Sequence, residues 1–275
     1  MSQSPVIVGL IGSGIQASRT PAMHLAAAQA LGLDYQYDLI DTDQRPTETS
    51  LSALLSDAEA KGYCGLNITY PFKTEVLAHL DSLSEDARTM GAVNTVRFED
   101  GRRIGHNTDY SGFAESMRHS LPDADLREVL LLGAGGAGGA VAHALKSMGT
   151  GSLLIHDVNP DQAATLANQT GGVVVRDLKR AASVAAGIVN ATPMGMAKLP
   201  GTAIPTALLR PNLWIMDIVY FPLETELLRA ARQIGCRTAN GGAMALYQAV
   251  HAFEIFTGLK PDPAIMRARF DAFDR

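Results

Sequence analysis

Residues 129–157 read VLLLGAGGAGGAVAHALKSMGTGSLLIHD. A short apolar run enters a glycine-rich turn, a helical stretch follows, and a second apolar run ends at Asp157. These types at this spacing can cradle a pyrophosphate. Gly133 permits a tight turn after the strand, Gly135 lets backbone approach the phosphates, and Gly138 lets the next helix pack close to the sheet. Gly133, Ala134, Gly135, Gly136 and Ala137 are the candidate cradle, and the helix N-terminus beyond them offers unpaired amides to an anion. Asp157 stands roughly 20 residues further on, where a ribose would lie. Its carboxylate can accept hydrogen bonds from both ribose hydroxyls and would repel a 2′-phosphate. Val158, Asn159, Pro160 and Asp161 follow, and the next basic residue is Arg176. The pattern predicts NAD rather than NADP.

In a chain with 26 glycines a lone G-x-G-x-x-G also arises in tight turns that bind nothing. Context separates the two readings: Val129 to Leu132 supply the strand, and Ala140, Val141, Ala144, Leu145 and Met148 supply the helical spacing that the dinucleotide reading requires.

The elements that must position such a site alternate along the whole chain. Ahead of the glycine motif, strands are expected at 6–10, 34–40, 65–69, 95–98 and 103–106, with helices at 21–31 and 49–61. After it come strands at 152–156, 172–175, 187–190 and 213–217, and helices at 161–169, 177–183, 224–233 and 244–256. Because the first strand of the dinucleotide fold arrives only at 129, the sequence predicts an α/β protein of two domains. Residues 1–110, completed by 244–275, form a substrate-binding and catalytic domain, and 111–243 form a Rossmann-type domain. The C-terminal helices return to the first domain, a hinge lies near 109–115, and the substrate is expected between the domains.

Bulk properties narrow the function classes. The 275 residues are 47% hydrophobic and 19% charged, enough for two buried cores. A net charge of −5 speaks against a nucleic-acid partner. Two cysteines without C-x-x-C spacing give neither a disulfide framework nor a thiolate zinc site, and the seven histidines show no metal-ligand pairing, so no metal is expected. No basic region precedes the short apolar stretch Val6 to Ile11, and no apolar run reaches membrane-spanning length. The expectation is therefore a cytoplasmic protein with no membrane partner.

Five further stretches stand in order around the glycine motif: GSGIQASRTPAMH at 12–24, LNITYPFK at 66–73, GAVNTV at 91–96, GHNTDYSGF at 105–113 and NGGAMALYQAVHAFEIFTG at 240–258. Together they resemble the shikimate dehydrogenase family, and most closely its NAD-dependent bacterial quinate/shikimate branch. The resemblance implies oxidation of the ring C3 hydroxyl of quinate to 3-dehydroquinate, and of shikimate to 3-dehydroshikimate, by a monomer or homodimer.

By that resemblance Lys73 and Asp109 are the catalytic pair. Oxidising a secondary alcohol sends hydride to the nicotinamide and a proton elsewhere; a lysine aimed at the hydroxyl can take or relay that proton, and an aspartate can hold the two in register. Ser18 and Thr20 fall where the family binds the substrate carboxylate, although either could instead cap the helix opening at Pro21. Asn67, Thr69 and Asn94 match positions that hydrogen-bond ring hydroxyls, while Tyr220 and Gln248 match positions that close the substrate pocket. Asn190, Thr192, Pro193 and Met194 match a loop whose backbone lies against the nicotinamide side of the cofactor, and Gly241 and Met244 match cofactor-binding positions. A plain strand-ending turn is the simpler account of that loop.

The departures are informative. Biosynthetic shikimate enzymes typically read His-Ser-x-Ser-Pro in the first motif and carry an Asn-Arg-Thr type stretch for NADP, whereas this chain has Ala17-Ser18-Arg19-Thr20-Pro21 and His156-Asp157-Val158. The competing readings are an NADP-dependent shikimate dehydrogenase of aromatic amino-acid biosynthesis, a dehydrogenase of a related cyclic polyol acid, and a non-catalytic ligand sensor. Asp157 opposes the first. Retention of Lys73 and Asp109 opposes the last.

Overall fold

The computed structural model describes residues 5–45 and 49–274. The chain divides into two compact units: one comprises the chain up to Thr108 together with Leu246 onward, and the other is Asp109–Ala245. Residues 1–4 and 46–48 of the first expected domain lie outside the described residues.

The first unit is built from β1 (Val6–Gly12), α1 (Thr20–Ala30), β2 (Tyr35–Asp41), α2 (Leu51–Ala60), β3 (Gly65–Ile68), β4 (Ser82–Leu83), α3 (Glu85–Met90), β5 (Thr95–Glu99) and β6 (Arg102–His106). Its six-stranded sheet runs β2-β1-β3-β5-β6-β4. The first three strands are parallel, whereas β5 is antiparallel to both β3 and β6. On one face the α2 residues Leu51, Leu54, Leu55 and Ala58, at helical spacing, close a core with Ile11, Leu66, Ile68 and Val96.

The second unit begins with α4 (Thr108–Ser120) and continues as β7 (Glu128–Leu132), α5 (Gly136–Ser147), β8 (Ser152–His156), α6 (Pro160–Thr170), β9 (Val173–Val174), α7 (Leu178–Val184), β10 (Gly187–Asn190), β11 (Trp214–Asp217), α8 (Glu226–Ile234) and β12 (Arg237–Ala239). All six strands pair in parallel in the order β12-β11-β10-β7-β8-β9. Read from the other edge, this is the doubly wound order of a dinucleotide-binding sheet, with its reversal between β7 and β10. Strands β7, β10 and β11 are nearly continuous apolar runs because helices cover both faces.

The last helices, α9 (Gly242–Thr257) and α10 (Pro263–Asp271), carry the chain back into the first unit from Leu246 onward. Phe256 joins the core of Val8, Leu10 and Tyr37, and α10 packs on α1. Among the described residues no helix is long and apolar enough to cross a membrane.

Residues 109–115, where the hinge was expected, lie within α4, at whose start the chain passes from the first unit to the second. Phe113 and Met117 on this helix and Leu121 just past it recur every fourth residue and are buried. The short elements β4, α3 and β12 had no counterpart in the sequence reading, and α10 entered it only as one of the C-terminal helices, without bounds.

Candidate active site

In the second unit the candidate residues meet at the carboxyl ends of the strands, where the order reverses. Gly133 leaves β7 with φ +97°, and a β-carbon there would lie 2.9 Å from the Ala191 carbonyl beyond β10. Gly138 is tighter: a β-carbon would sit 2.1 Å from the Gly133 carbonyl oxygen, so only glycine lets α5 start this close to the strand. Gly135 and Gly136, by contrast, face nothing within 4 Å. The loop is rigid from below and open above, at a helix N-terminus, which is the form a pyrophosphate requires.

Asp157, just past β8, accepts from the Ala134 amide at 2.6 Å through one oxygen and from the Asn159 amide at 2.7 Å through the other. A carboxylate has about four acceptor sites, so roughly two remain, the number that a pair of ribose hydroxyls needs. Val158, the next residue, is 96% exposed and Asn159 caps α6, so the residues that directly follow Asp157 supply no cation for a 2′-phosphate. The donors and acceptors present fit an NAD adenosine ribose.

The loop after β10 is held from within. Fully buried Asn190 donates from Nδ2 to the Met194 carbonyl at 3.0 Å and to Asp217 at 2.9 Å; its Oδ1 accepts from the Thr192 amide and hydroxyl. Asp217 also accepts from the Val219 amide at 3.1 Å and from Thr225 Oγ1 at 2.7 Å, and Thr225 caps α8. Burial pushes the Asp217 carboxyl up, an effect opposed by the Thr225, Val219 and Asn190 bonds. The carboxamide of Asn190 is thus consumed in shaping the loop that presents Thr192, Pro193 and Met194. Gly241 donates its amide to Val219, Met244 is buried in the core around β7, and Tyr220 is 48% exposed.

In the first unit a hydrogen-bonded chain crosses the sheet. Tyr37 Oη donates to Asn67 Oδ1 at 2.8 Å; Asn67 Nδ2 donates to Thr95 Oγ1 at 3.0 Å; Thr95 Oγ1 donates to Asn94 Oδ1 at 3.0 Å. Asn94 Oδ1 also takes the Thr108 amide at 2.8 Å, and its Nδ2 reaches Thr108 Oγ1 at 3.0 Å. Asn67 and Asn94 are therefore brought together with their amides fixed in orientation. Val93 donates its amide to the Lys73 carbonyl at 2.8 Å, and Thr69 donates its amide to Ile11, placing the 69–73 loop beside β1 and Asn94. Ser18 Oγ accepts from the Thr20 amide at 3.4 Å. Thr20 is not the helix cap: Arg19 is the N-cap of α1, with no side-chain cap bond, and its guanidinium lies 4.7 Å over the Phe270 ring. Asp109 is buried at the start of α4, and Gln248 is half-buried on α9.

The substrate-binding domain model of shikimate dehydrogenases matches residues 10–96, and the shikimate 5′-dehydrogenase C-terminal domain model matches residues 243–269. Two relatives are similar over nearly the whole chain. A shikimate dehydrogenase (NADP(+)) of Streptomyces avermitilis is 49% identical over 98% of this chain and 96% of its own length. A quinate/shikimate dehydrogenase (NAD(+)) of Corynebacterium efficiens is 47% identical over 98% and 99%. The chain belongs to the shikimate dehydrogenase family. Among solved structures, the quinate dehydrogenase from Corynebacterium glutamicum in complex with NAD superposes with a TM-score of 0.94, at 46% identity over 98% of this chain and all of that one. Like other members of the family, the protein is an oxidoreductase.

The sequence reading missed Tyr37, Thr95 and Thr108, which orient the two asparagines, and Asp41, Asp217 and Thr225, which hold loops. A signal existed for the acids: LID at 39–41, IHD at 155–157 and IMD at 215–217 each end an apolar run in aspartate.

Proposed function

We propose that this family member is an NAD-dependent quinate/shikimate dehydrogenase, oxidising the ring C3 hydroxyl of either acid in the catabolism of these compounds. Identities of 49% and 47% to relatives with different cofactors do not choose between them. The deciding observation is Asp157: two acceptor sites are spare, a bulky hydrophobe follows, and no basic residue comes in the next turn of chain. An NADP-dependent shikimate dehydrogenase is the second reading, favoured by the Streptomyces relative.

Bound NAD supplies the hydride acceptor. Lys73 takes or relays the hydroxyl proton as the carbonyl forms, and Asp109 keeps the lysine and the hydroxyl in register. Ser18 and Thr20 hold the ring carboxylate, while Asn67, Thr69 and Asn94 read the ring hydroxyls with both donor and acceptor edges. Tyr220 and Gln248 close the pocket. Gly133 to Ala137 hold the pyrophosphate, and the 192–194 loop, Gly241 and Met244 lie on the nicotinamide side. An NAD-linked oxidation also draws on the intracellular nicotinamide pool, which supports a cytoplasmic site of action.

Initial rates over the four combinations of quinate or shikimate with NAD or NADP test this reading. Turnover of both acids, with NAD preferred, is expected; equal or better efficiency with NADP overturns the cofactor assignment, and no turnover of either acid overturns the function. Lys73→Ala should lower kcat by about two to four orders of magnitude with NAD affinity nearly intact, because the lysine handles only the proton. Near-normal turnover in a folded Lys73→Ala protein would show that the proton leaves by another group.

A further inference from the structure

Between β1 and α1 the chain makes a loop, Ser13 to Arg19, that delivers Ser18 and Thr20. Buried Ile15 and Arg19 anchor it, but between and before them it holds a left-handed glycine, Gly14 at φ +65°, and two exposed residues, Gln16 and Ala17. It is fixed from the neighbouring strand. Asp41 ends β2, stands opposite Gly12 in register and is buried. Its Oδ1 accepts from the Gly14 amide at 3.0 Å and the Asp43 amide at 3.1 Å, and its Oδ2 accepts from the Ile15 amide at 3.2 Å and Gln16 Nε2 at 3.0 Å. All of its roughly four acceptor sites are taken, three of them by the loop. Ser13 Oγ to Asp43 at 2.7 Å and Thr42 Oγ1 to the Gly12 carbonyl at 3.2 Å close the same seam. The link to the substrate position is short. The Ile15 amide binds Asp41, the Ile15 carbonyl accepts the Ser18 amide at 2.9 Å, and Ser18 Oγ accepts the Thr20 amide.

We propose that Asp41 is a positioning residue for substrate recognition, setting the place of Ser18 and Thr20 through the Gly14–Ile15 backbone without itself touching substrate. This rests on the proposed role of those two residues in holding the ring carboxylate. The carboxylate is required because every group facing it is a donor. In Asp41→Asn either orientation of the amide aims an NH2 at two of these donors, so the loop must move although the side chain keeps its size.

The test is steady-state kinetics of the full-length Asp41→Asn, Gln16→Ala, Ser18→Ala and Asp41→Asn/Ser18→Ala proteins on quinate and shikimate, with NAD affinity measured separately. Asp41→Asn should raise KM for both acids about tenfold or more, with kcat changed by less than about threefold and NAD affinity unchanged, since charged hydrogen bonds to the loop are lost. Gln16→Ala, which removes one exposed donor and does not endanger folding, should raise KM about two- to fourfold. Ser18→Ala added to Asp41→Asn should raise KM much less than it does alone, because the two act through one loop. An unchanged KM in folded Asp41→Asn or Gln16→Ala overturns the proposal. So do additive effects of Asp41→Asn and Ser18→Ala, or a parallel fall in kcat and NAD affinity. Absence of wild-type turnover on either acid would overturn the functional reading and this inference together, whereas wild-type turnover with an unaltered variant KM overturns the inference alone.

Discussion

Asp41 in the first unit and Asp157 in the second occupy like places in two sheets. Each stands at the carboxyl end of a strand parallel to the first strand of its unit, and each holds the loop leaving that first strand. The difference is in how much of the carboxylate the fold consumes. Asp41 is buried and its acceptor sites are full; Asp157 is partly exposed and half of its sites are spare. Asp217 at the end of β11 comes close to the saturated arrangement, with three donors and complete burial. An acid at a strand end is thus a strut when the chain satisfies it and a ligand-binding group when the chain leaves lone pairs over. Position in the fold does not distinguish the two; the count of donors does.

The largest effect should come from removing a strut. Asp217→Ala leaves one N–H of Asn190 Nδ2, the Thr225 hydroxyl and the Val219 amide without an acceptor in a buried site. At about 1 to 3 kcal/mol for each unsatisfied group, the loss should be about 3 kcal/mol or more of unfolding free energy, measured by urea denaturation. A loss near zero would mean that water replaces the carboxylate, and the distinction between strut and ligand would fail at its clearest case.

Asp157→Asn should behave oppositely. It surrenders one of two hydrogen bonds at a partly exposed site, because the amide oxygen still accepts the other, so the change in stability should stay below about 1 kcal/mol. The NAD to NADP efficiency ratio should fall by about one to two orders of magnitude, since a charge-assisted hydrogen bond of about 1.5 to 3 kcal/mol is lost and repulsion of the 2′-phosphate is relieved. An unaltered ratio would place cofactor choice elsewhere in the second unit.

The two units were not equally legible in the sequence. The Rossmann elements and Asp157 could be read because the chemistry is local: a glycine turn, a strand on each side, and an acid at a fixed distance. In the first unit Asn67 and Asn94 were found through motif resemblance, and Thr95 and Thr108 stand in the same group of stretches, but that these threonines and the distant Tyr37 orient the two asparagines follows only from sheet register. Asn190 was read as part of a loop whose backbone lies against the cofactor; that its side chain is spent on Asp217 and the 192–194 loop was not legible, because it depends on β10 and β11 being neighbours. Short elements such as α3 and β12 carry too few residues for a period to show.

His24 sharpens the comparison from the other side, as a buried group that gains little from its surroundings. It packs among Tyr35, Tyr37, Phe253 and Phe256 with Nδ1 2.8 Å from Tyr35 Oη. Burial pushes its pKa down to about 3, a fall opposed only partly by the Ala249 backbone. Because the unfolded chain takes up the proton first, the stability gained from neutral His24 is complete above pH 6.5 and is lost progressively as pH falls toward 3. By pH 5 the loss from this residue should reach about 2 kcal/mol. Wild-type protein should therefore lose about that much more than His24→Phe between pH 7.5 and pH 5; equal losses would mean the histidine accommodates its proton in the folded state.

The smallest effect tests whether the site held by Asp41 discriminates substrates. Thr20 is half-buried on the first turn of α1 and takes no part in capping it, so its hydroxyl and methyl are free of that structural duty. Quinate differs from shikimate at C1, where it carries a hydroxyl beside the carboxylate, and in the proposed binding mode the Thr20 methyl shapes that space. Thr20→Ser deletes only the methyl. A methyl-sized change discriminates by about 1 to 3 kcal/mol, so the quinate to shikimate efficiency ratio should shift toward shikimate, at the lower end of that range, while both activities persist. Because the Ser18 Oγ bond is to the Thr20 amide and not to its side chain, the loop itself should be undisturbed. A changed ratio with an unchanged stability locates discrimination at the loop that Asp41 holds. An unchanged ratio moves it to Asn67, Thr69 or Asn94.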